Sequence, residues 1–165
     1  MTTSVPTPAL LVDSNVWIDF RTKPQDNIAR QFVIWCMTHD VRLGIAAHSL
    51  KDVFNVVERD LKRLNALDPK IKPEAAGIAA REVAWATIAQ LMETVEVVGS
   101  DYMDALLATK YRDLHDFYED NLIIAACHRM KANALITSDQ KLIGHAPVLA
   151  MTPSDALKWL QIEYG

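Results

Sequence analysis

Cysteine and glycine are scarce in this chain of 165 residues, with two of the first and five of the second. The two cysteines, Cys36 and Cys127, stand too far apart for a zinc motif or a disulfide framework. No internal repeat, low-complexity tract or Gly/Ser linker divides the chain, so a single domain over residues 1–165 is expected. The longest unbroken apolar run, Leu122 to Cys127, is far short of the roughly 20 residues that span a bilayer. The opening MTTSVPTPAL lacks the basic start and apolar stretch of a signal peptide. These absences point to a soluble, cytoplasmic protein. Positive charge is short as well: the formal net charge is -4, whereas a general nucleic-acid binder is usually basic. Any attraction for RNA must come from a local patch, from metal, or from both. Arg59, Lys62, Arg63, Lys70 and Lys72 are the densest local cations, and a solvated helix end accounts for them equally well.

What is present is ordinary globular material, half hydrophobic and 23% charged. Ala9 to Val12 reads as a buried strand that emits a polar loop, Asp13-Ser14-Asn15. A helix is expected over Gln25–His39 and a second strand over Val41–Ala46. The next helix runs from Leu50 to about Leu64, with Val53, Phe54, Val57 and Leu61 on its apolar face and a capping box between Ser49 and Asp52. Pro73 suits a first helical position, and Ile78, Trp85, Ile88 and Met92 continue that helix. Thr94 to Val98 is a strand, and Ser100 caps the helix after it. Asp116 and Glu119 suit the start of a further helix. Ala134–Thr137 and Val148–Met151 are strands, and Thr152-Pro153 opens the last helix. Alternating strands and helices of this length predict an α/β fold with a mostly parallel sheet of about four to five strands.

In open parallel sheets, chemistry gathers beyond the carboxyl ends of the strands. Asp13 and Asp139 each follow an apolar strand at once. Asp120 stands one turn before Ile124 and two before Cys127, and Asp52 one turn before Val56. Carboxylates gathered in one pocket repel one another and take up protons unless a cation is present. Oxygen-only ligands suit Mg²⁺ or Mn²⁺, which polarise a phosphate and activate water for phosphodiester hydrolysis. Each acid also has a plain reading: Asp13 and Asp139 as turn formers, Asp120 as a helix-dipole charge, and Asp52 as half of the capping box. Ser14, Asn15 and Ser138 are placed to hydrogen-bond the acids or a phosphate. The four tryptophans read as core or interface. Of the histidines, only His115 stands beside the acids.

Three segments together resemble the PIN-domain ribonucleases. Leu11-Val12-Asp13-Ser14-Asn15-Val16-Trp17-Ile18-Asp19 is similar to their opening motif. Phe117-Tyr118-Glu119-Asp120-Asn121-Leu122-Ile123-Ile124-Ala125-Ala126 is similar to their second signature, and Ala134-Leu135-Ile136-Thr137-Ser138-Asp139 to their third. The order and separations match across nearly the whole chain. The resemblance implies a three-layer α/β/α fold and a Mg²⁺- or Mn²⁺-dependent endoribonuclease, with Asp13, Asp52, Asp120 and Asp139 as catalytic and metal-binding acids. Asp52 stands where the family usually has a glutamate, one methylene longer. The resemblance also implies an RNA substrate, a homodimer and, as in VapC toxins of type II toxin–antitoxin pairs, an antitoxin partner. The alternative is a noncatalytic PIN-like module that binds RNA or a partner through a decayed site. A phosphatase would want Asp-x-Asp where this chain has Asp13-Ser14-Asn15.

Overall fold

The computed structural model describes residues 6–165, so half of the N-terminal stretch read above, residues 1–5, lies outside it. In chain order the elements are β1 (Ala9–Val12), α1 (Ser14–Thr22), α2 (Ile28–Thr38), β2 (Arg42–Ala46), α3 (Ser49–Asn65), α4 (Pro73–Thr94) and β3 (Glu96–Val98). There follow α5 (Tyr102–Lys110), a 3₁₀ turn (Tyr111–Asp113), α6 (Tyr118–Met130), β4 (Ala134–Ile136), α7 (Gln140–His145), β5 (Ala150–Met151) and α8 (Pro153–Tyr164). The five strands form one sheet in the order β3-β2-β1-β4-β5, every pair parallel. This is the α/β architecture expected of the sequence.

β1 is the central strand, which is why all four of its residues are apolar and buried. Leu10 and Val12 point to one face, where Val16 and Trp17 of α1, Phe32 of α2, Val53 of α3 and Leu160 of α8 complete a core. Leu11 points to the other face and meets Ile124, Cys127 and Met130 of α6. Each fully buried Leu or Ile contributes about 1.5–3 kcal/mol. Helices therefore cover both faces, and the strand ends are left for chemistry. Gly44 lets α6 lie close: a Cβ there would stand 2.6 Å from Met130 Sδ. Val12 pairs in register with Ile136, so β1 and β4 end level and Asp13 and Thr137 emerge side by side.

Several local expectations are corrected. The polar segment after β1 is no loop, because Asp13 caps α1 directly and Ser14 is already helical. Ser49 and Asp52 form no capping box: α3 has His48 at its N-cap, without a side-chain bond, and Ser49 is buried inside the first turn. Asp101, rather than Ser100, caps α5, in a true capping box with Asp104. α6 starts from Phe117 with no side-chain cap, so neither Asp116 nor Glu119 serves that purpose. On α4 the buried residues are Ala76, Ala80 and Ala84 together with Thr87, Ile88 and Leu91, while Ile78, Trp85 and Met92 are largely exposed, Trp85 with its ring against Phe54 of α3.

Candidate active site

β1 and β4 end in the same way, with an aspartate that caps a helix. Asp13 Oδ1 accepts from the Ser14 N–H at 2.7 Å, and Asp139 Oδ1 accepts from the Lys141 and Leu142 N–H groups at 2.8 and 3.1 Å. Both carboxylates therefore sit at the positive ends of helices. Thr137 joins them. Its fully buried hydroxyl donates to Asp13 Oδ2 at 2.8 Å and accepts from the Asp139 N–H at 3.1 Å. Asn15 closes the arrangement: its Nδ2 donates to Asp13 Oδ2 (2.9 Å) and Thr137 Oγ1 (3.0 Å), while its Oδ1 accepts from the Ser138 N–H (3.1 Å).

Asp120 arrives from the first turn of α6, on the other side of the sheet end. Its Oδ2 lies 3.2 Å from Nδ1 of His115, which is buried. The Phe117 N–H also lies 3.3 Å from that nitrogen. One ring nitrogen cannot donate to the carboxylate and accept from an amide at once. With Asp120 ionised, the proton belongs on Nδ1, and the amide only lies beside it. His115 Nε2 and the Oδ1 of the neighbouring Asn121 are buried without partners.

Electrostatics tie three of the acids together. Burial, and then the charge of Asp139, push the Asp13 carboxyl above its ordinary value, against the bonds from Thr137 and Ser14. Burial likewise raises Asp120; the nearby His115 opposes that, and the charges of Asp13, Asp139 and Glu119 add to it. Beneath them, burial and then the charge of Asp13 push the Cys127 thiol up to about 12. Asp13, Asp120 and Asp139 thus feel one another at the carboxyl end of β1 and β4. Asp52 stands apart at the rim, with 37% of its side chain exposed and Lys51 Nζ 3.9 Å away. Burial lowers the His48 imidazole although the charges of Glu119, Asp52 and Asp13 all pull it up.

The donor set suits a hard divalent cation, being carboxylate oxygen without cysteine. The raised Asp13 and Asp120 carboxyls are also what a cation would relieve. The separations are another matter: among the described residues, no three His, Cys, Asp or Glu side chains stand close enough to hold one ion. Asp13 has four donors on its two oxygens, about as many as a carboxylate accepts. The weakest of them is the Ser14 hydroxyl at 3.4 Å, and it is the one that would yield to a cation. The residues fit the ion by charge and donor type.

The remaining sequence candidates fall elsewhere. Arg59 and Lys62 are paired with Asp60 and Glu58. Arg59, Lys62 and Arg63 lie in the C-terminal part of α3, about 10–17 Å along the helix from Asp52 at 1.5 Å per residue, and Lys70 and Lys72 in the connection to α4. A cleft of roughly 500 Å³ between α1, α3 and α4, lined by Arg21, Val57, Leu61 and Val83 among others, contains none of the four aspartates. Sequence reasoning singled out Ser14, Asn15, Ser138 and His115 but missed Thr137 and His48. Thr137 reads as the last residue of a strand, and its one signal is the hydroxyl directly before Ser138-Asp139. His48 has no signal beyond its place one turn before Asp52.

The PIN domain family profile matches residues 9–141. Comparison with curated proteins finds no match. Among solved structures, PAE2754 from Pyrobaculum aerophilum is similar with a TM-score of 0.60 and 14% identity, covering 94% of this chain and 91% of its own. VapBC2 from Rickettsia felis, bound to a DNA fragment from its promoter, is similar with a TM-score of 0.55 and 11% identity, covering 87% of this chain and 98% of its own. FitAcB from Neisseria gonorrhoeae gives 0.53 and 17%, covering 88% and 98%.

Proposed function

This chain belongs to the PIN domain family, and from that premise we propose that it is a metal-dependent endoribonuclease, the toxin of a type II toxin–antitoxin pair. The observation that carries the reading is the set of carboxyls at the ends of β1, β4 and the first turn of α6. Two of them are raised by burial and by the charges of the others. Such an arrangement is costly unless a cation or a proton neutralises it.

Asp13, Asp120 and Asp139 would hold Mg²⁺ or Mn²⁺, with Asp52 at the outer edge of the shell. When bound, the cation supplies a Lewis acid that polarises the phosphate and acidifies water. The chain's own residues do the positioning. Thr137 and Asn15 fix the Asp13 carboxylate, and the α7 N-terminus fixes Asp139. Asp52 or Asp139 would orient a water in line with the scissile P–O bond and take its proton. The water oxygen bonds to phosphorus as the bridging oxygen leaves and is protonated.

Support for the toxin role, and with it an antitoxin partner, comes from the similar VapBC2 and FitAcB structures; a homodimer is part of the proposal on the family resemblance alone. A second reading has an observation of its own. The acids do not stand at ion-binding separation, and Asp52 is short, which suits a noncatalytic RNA- or partner-binding module. Incubating the purified protein with a mixed RNA pool in Mg²⁺, Mn²⁺ or EDTA, beside Asp120→Asn, separates the two. The nuclease cuts only with metal and only as wild type. Binding without cutting in all three conditions would support the module.

A further inference from the structure

One large apolar side chain near the acids lies open to water. Phe117, the N-cap residue of α6, is 61% exposed, although it precedes Asp120 by only three residues. Its ring lies against His115, with centroids 5.7 Å apart and planes inclined at 49°. That same histidine contacts Asp120. On the α7 side, Lys141 Nζ lies 5.4 Å from the centroid of the Phe117 ring, two residues beyond Asp139. An exposed aromatic ring, packed against the histidine that contacts one acid and with a cation two residues beyond another lying over it, is not accounted for by the core or by catalysis.

We propose that Phe117 is a nucleobase-stacking subsite, on which a base of single-stranded RNA rests beside the phosphate presented to Asp13, Asp120 and Asp139, with Lys141 facing the strand's backbone. The inference rests on the nuclease reading for its substrate and adds the place where a base is held. Stacking is sequence-tolerant, because every base has a π face. It also requires a base free of a helix, so the subsite selects single strands, loops or bulges over duplex. Lys141 supplies a positive charge that the acidic surface otherwise lacks at this edge. Lys51 does not, because Glu119 engages it at 3.2 Å.

The test is binding without turnover: fluorescence anisotropy of a labelled single-stranded RNA oligomer and of its duplex, with full-length protein in EDTA. Phe117→Ala is expected to weaken single-strand binding about tenfold, within the range for loss of one stacked base, and to leave duplex binding unchanged. Phe117→Trp is expected to restore it. His115, whose Nδ1 contacts Asp120, is unchanged in both substitutions, so that contact is not deleted. Single-strand affinity equal to wild type in Phe117→Ala would overturn the proposal. So would failure of Phe117→Trp to rescue, or a change of oligomeric mass by light scattering, which would make Phe117 a contact between protein chains. Cutting with Phe117-independent binding overturns only the subsite. Phe117-dependent binding with no cutting at any metal overturns only the nuclease.

Discussion

Asp13 and Asp139 stand on the same local design and end in different environments. Each lies just beyond a parallel strand, Asp13 directly after β1 and Asp139 three residues past the end of β4, and each caps the next helix and is bonded to Thr137, Asp139 through its N–H. Yet Asp13 is 6% exposed and raised by burial, while Asp139 lies open to solvent. The difference arises from position in the sheet. β1 is central, between β2 and β4, and α1 and α6 close over its end, whereas β4 lies one strand nearer the edge. A strand followed by aspartate gives the place of a carboxylate. Its neighbours decide how strongly it calls for a cation.

The largest effect is expected at the buried member. Asp13→Asn should lower RNA cleavage by about a hundredfold or more, beyond what loss of an outer partner costs. The same substitution should alter acid stability. The metal-free fold holds the Asp13 proton more tightly than the unfolded chain, because its carboxyl is raised. That contribution is fully present below the ordinary aspartate range and is lost as pH rises through the raised value. Urea melts of metal-free protein from pH 3 to 7 should show this decline in wild type and a shallower one in Asp13→Asn. Equal slopes would mean that Asp13 is not raised.

Next comes the residue that joins the pair. Thr137→Val keeps the shape but removes the donor to Asp13 and the acceptor for Asp139, so about 1–3 kcal/mol of stability should be lost. Metal affinity should fall about 10–100-fold, as for other outer-shell partners. Unchanged affinity with lost stability would reduce Thr137 to a packing residue. At Asp139 the cap and the site can be separated. Asp139→Ser should keep the helix cap and lose roughly tenfold in cleavage, whereas Asp139→Ala should also lose about 0.5–2 kcal/mol. The smallest effect is expected at the rim: Asp52→Asn should lower cleavage by less than about tenfold, because Asp52 stands partly exposed beside Lys51 rather than at the strand ends. A loss as large as that of Asp13→Asn would place Asp52 within the metal shell.

The strands and the acids that end them were legible because an apolar run broken by aspartate is a strong local signal. The five-stranded parallel sheet followed from the alternation of strands with helices. What was not legible depended on contacts distant in sequence. α1 and α7 begin in polar segments that look like turns, and their helical state is fixed by aspartates that cap them. Ser49 suits an N-cap by residue type, yet burial draws it into α3. Which face of α4 is buried could not be seen, since Ile78, Trp85 and Met92 follow a helical period as well as Ala76, Ala80 and Ala84 do. Thr137 resembles any β-branched strand residue until Asp13 is brought beside it from 124 positions away. The approach of Asp120 to Asp13 and Asp139 likewise depends on how α6 lies over the sheet.

The central claim is that these carboxylates form a site for a divalent cation. Its most direct test is calorimetric titration of Mn²⁺ into metal-free protein at neutral pH, with Asp13→Asn and Asp120→Asn in parallel. Saturable binding in wild type that either substitution weakens by tenfold or more is the predicted result. No binding, or binding that neither substitution changes, would contradict it.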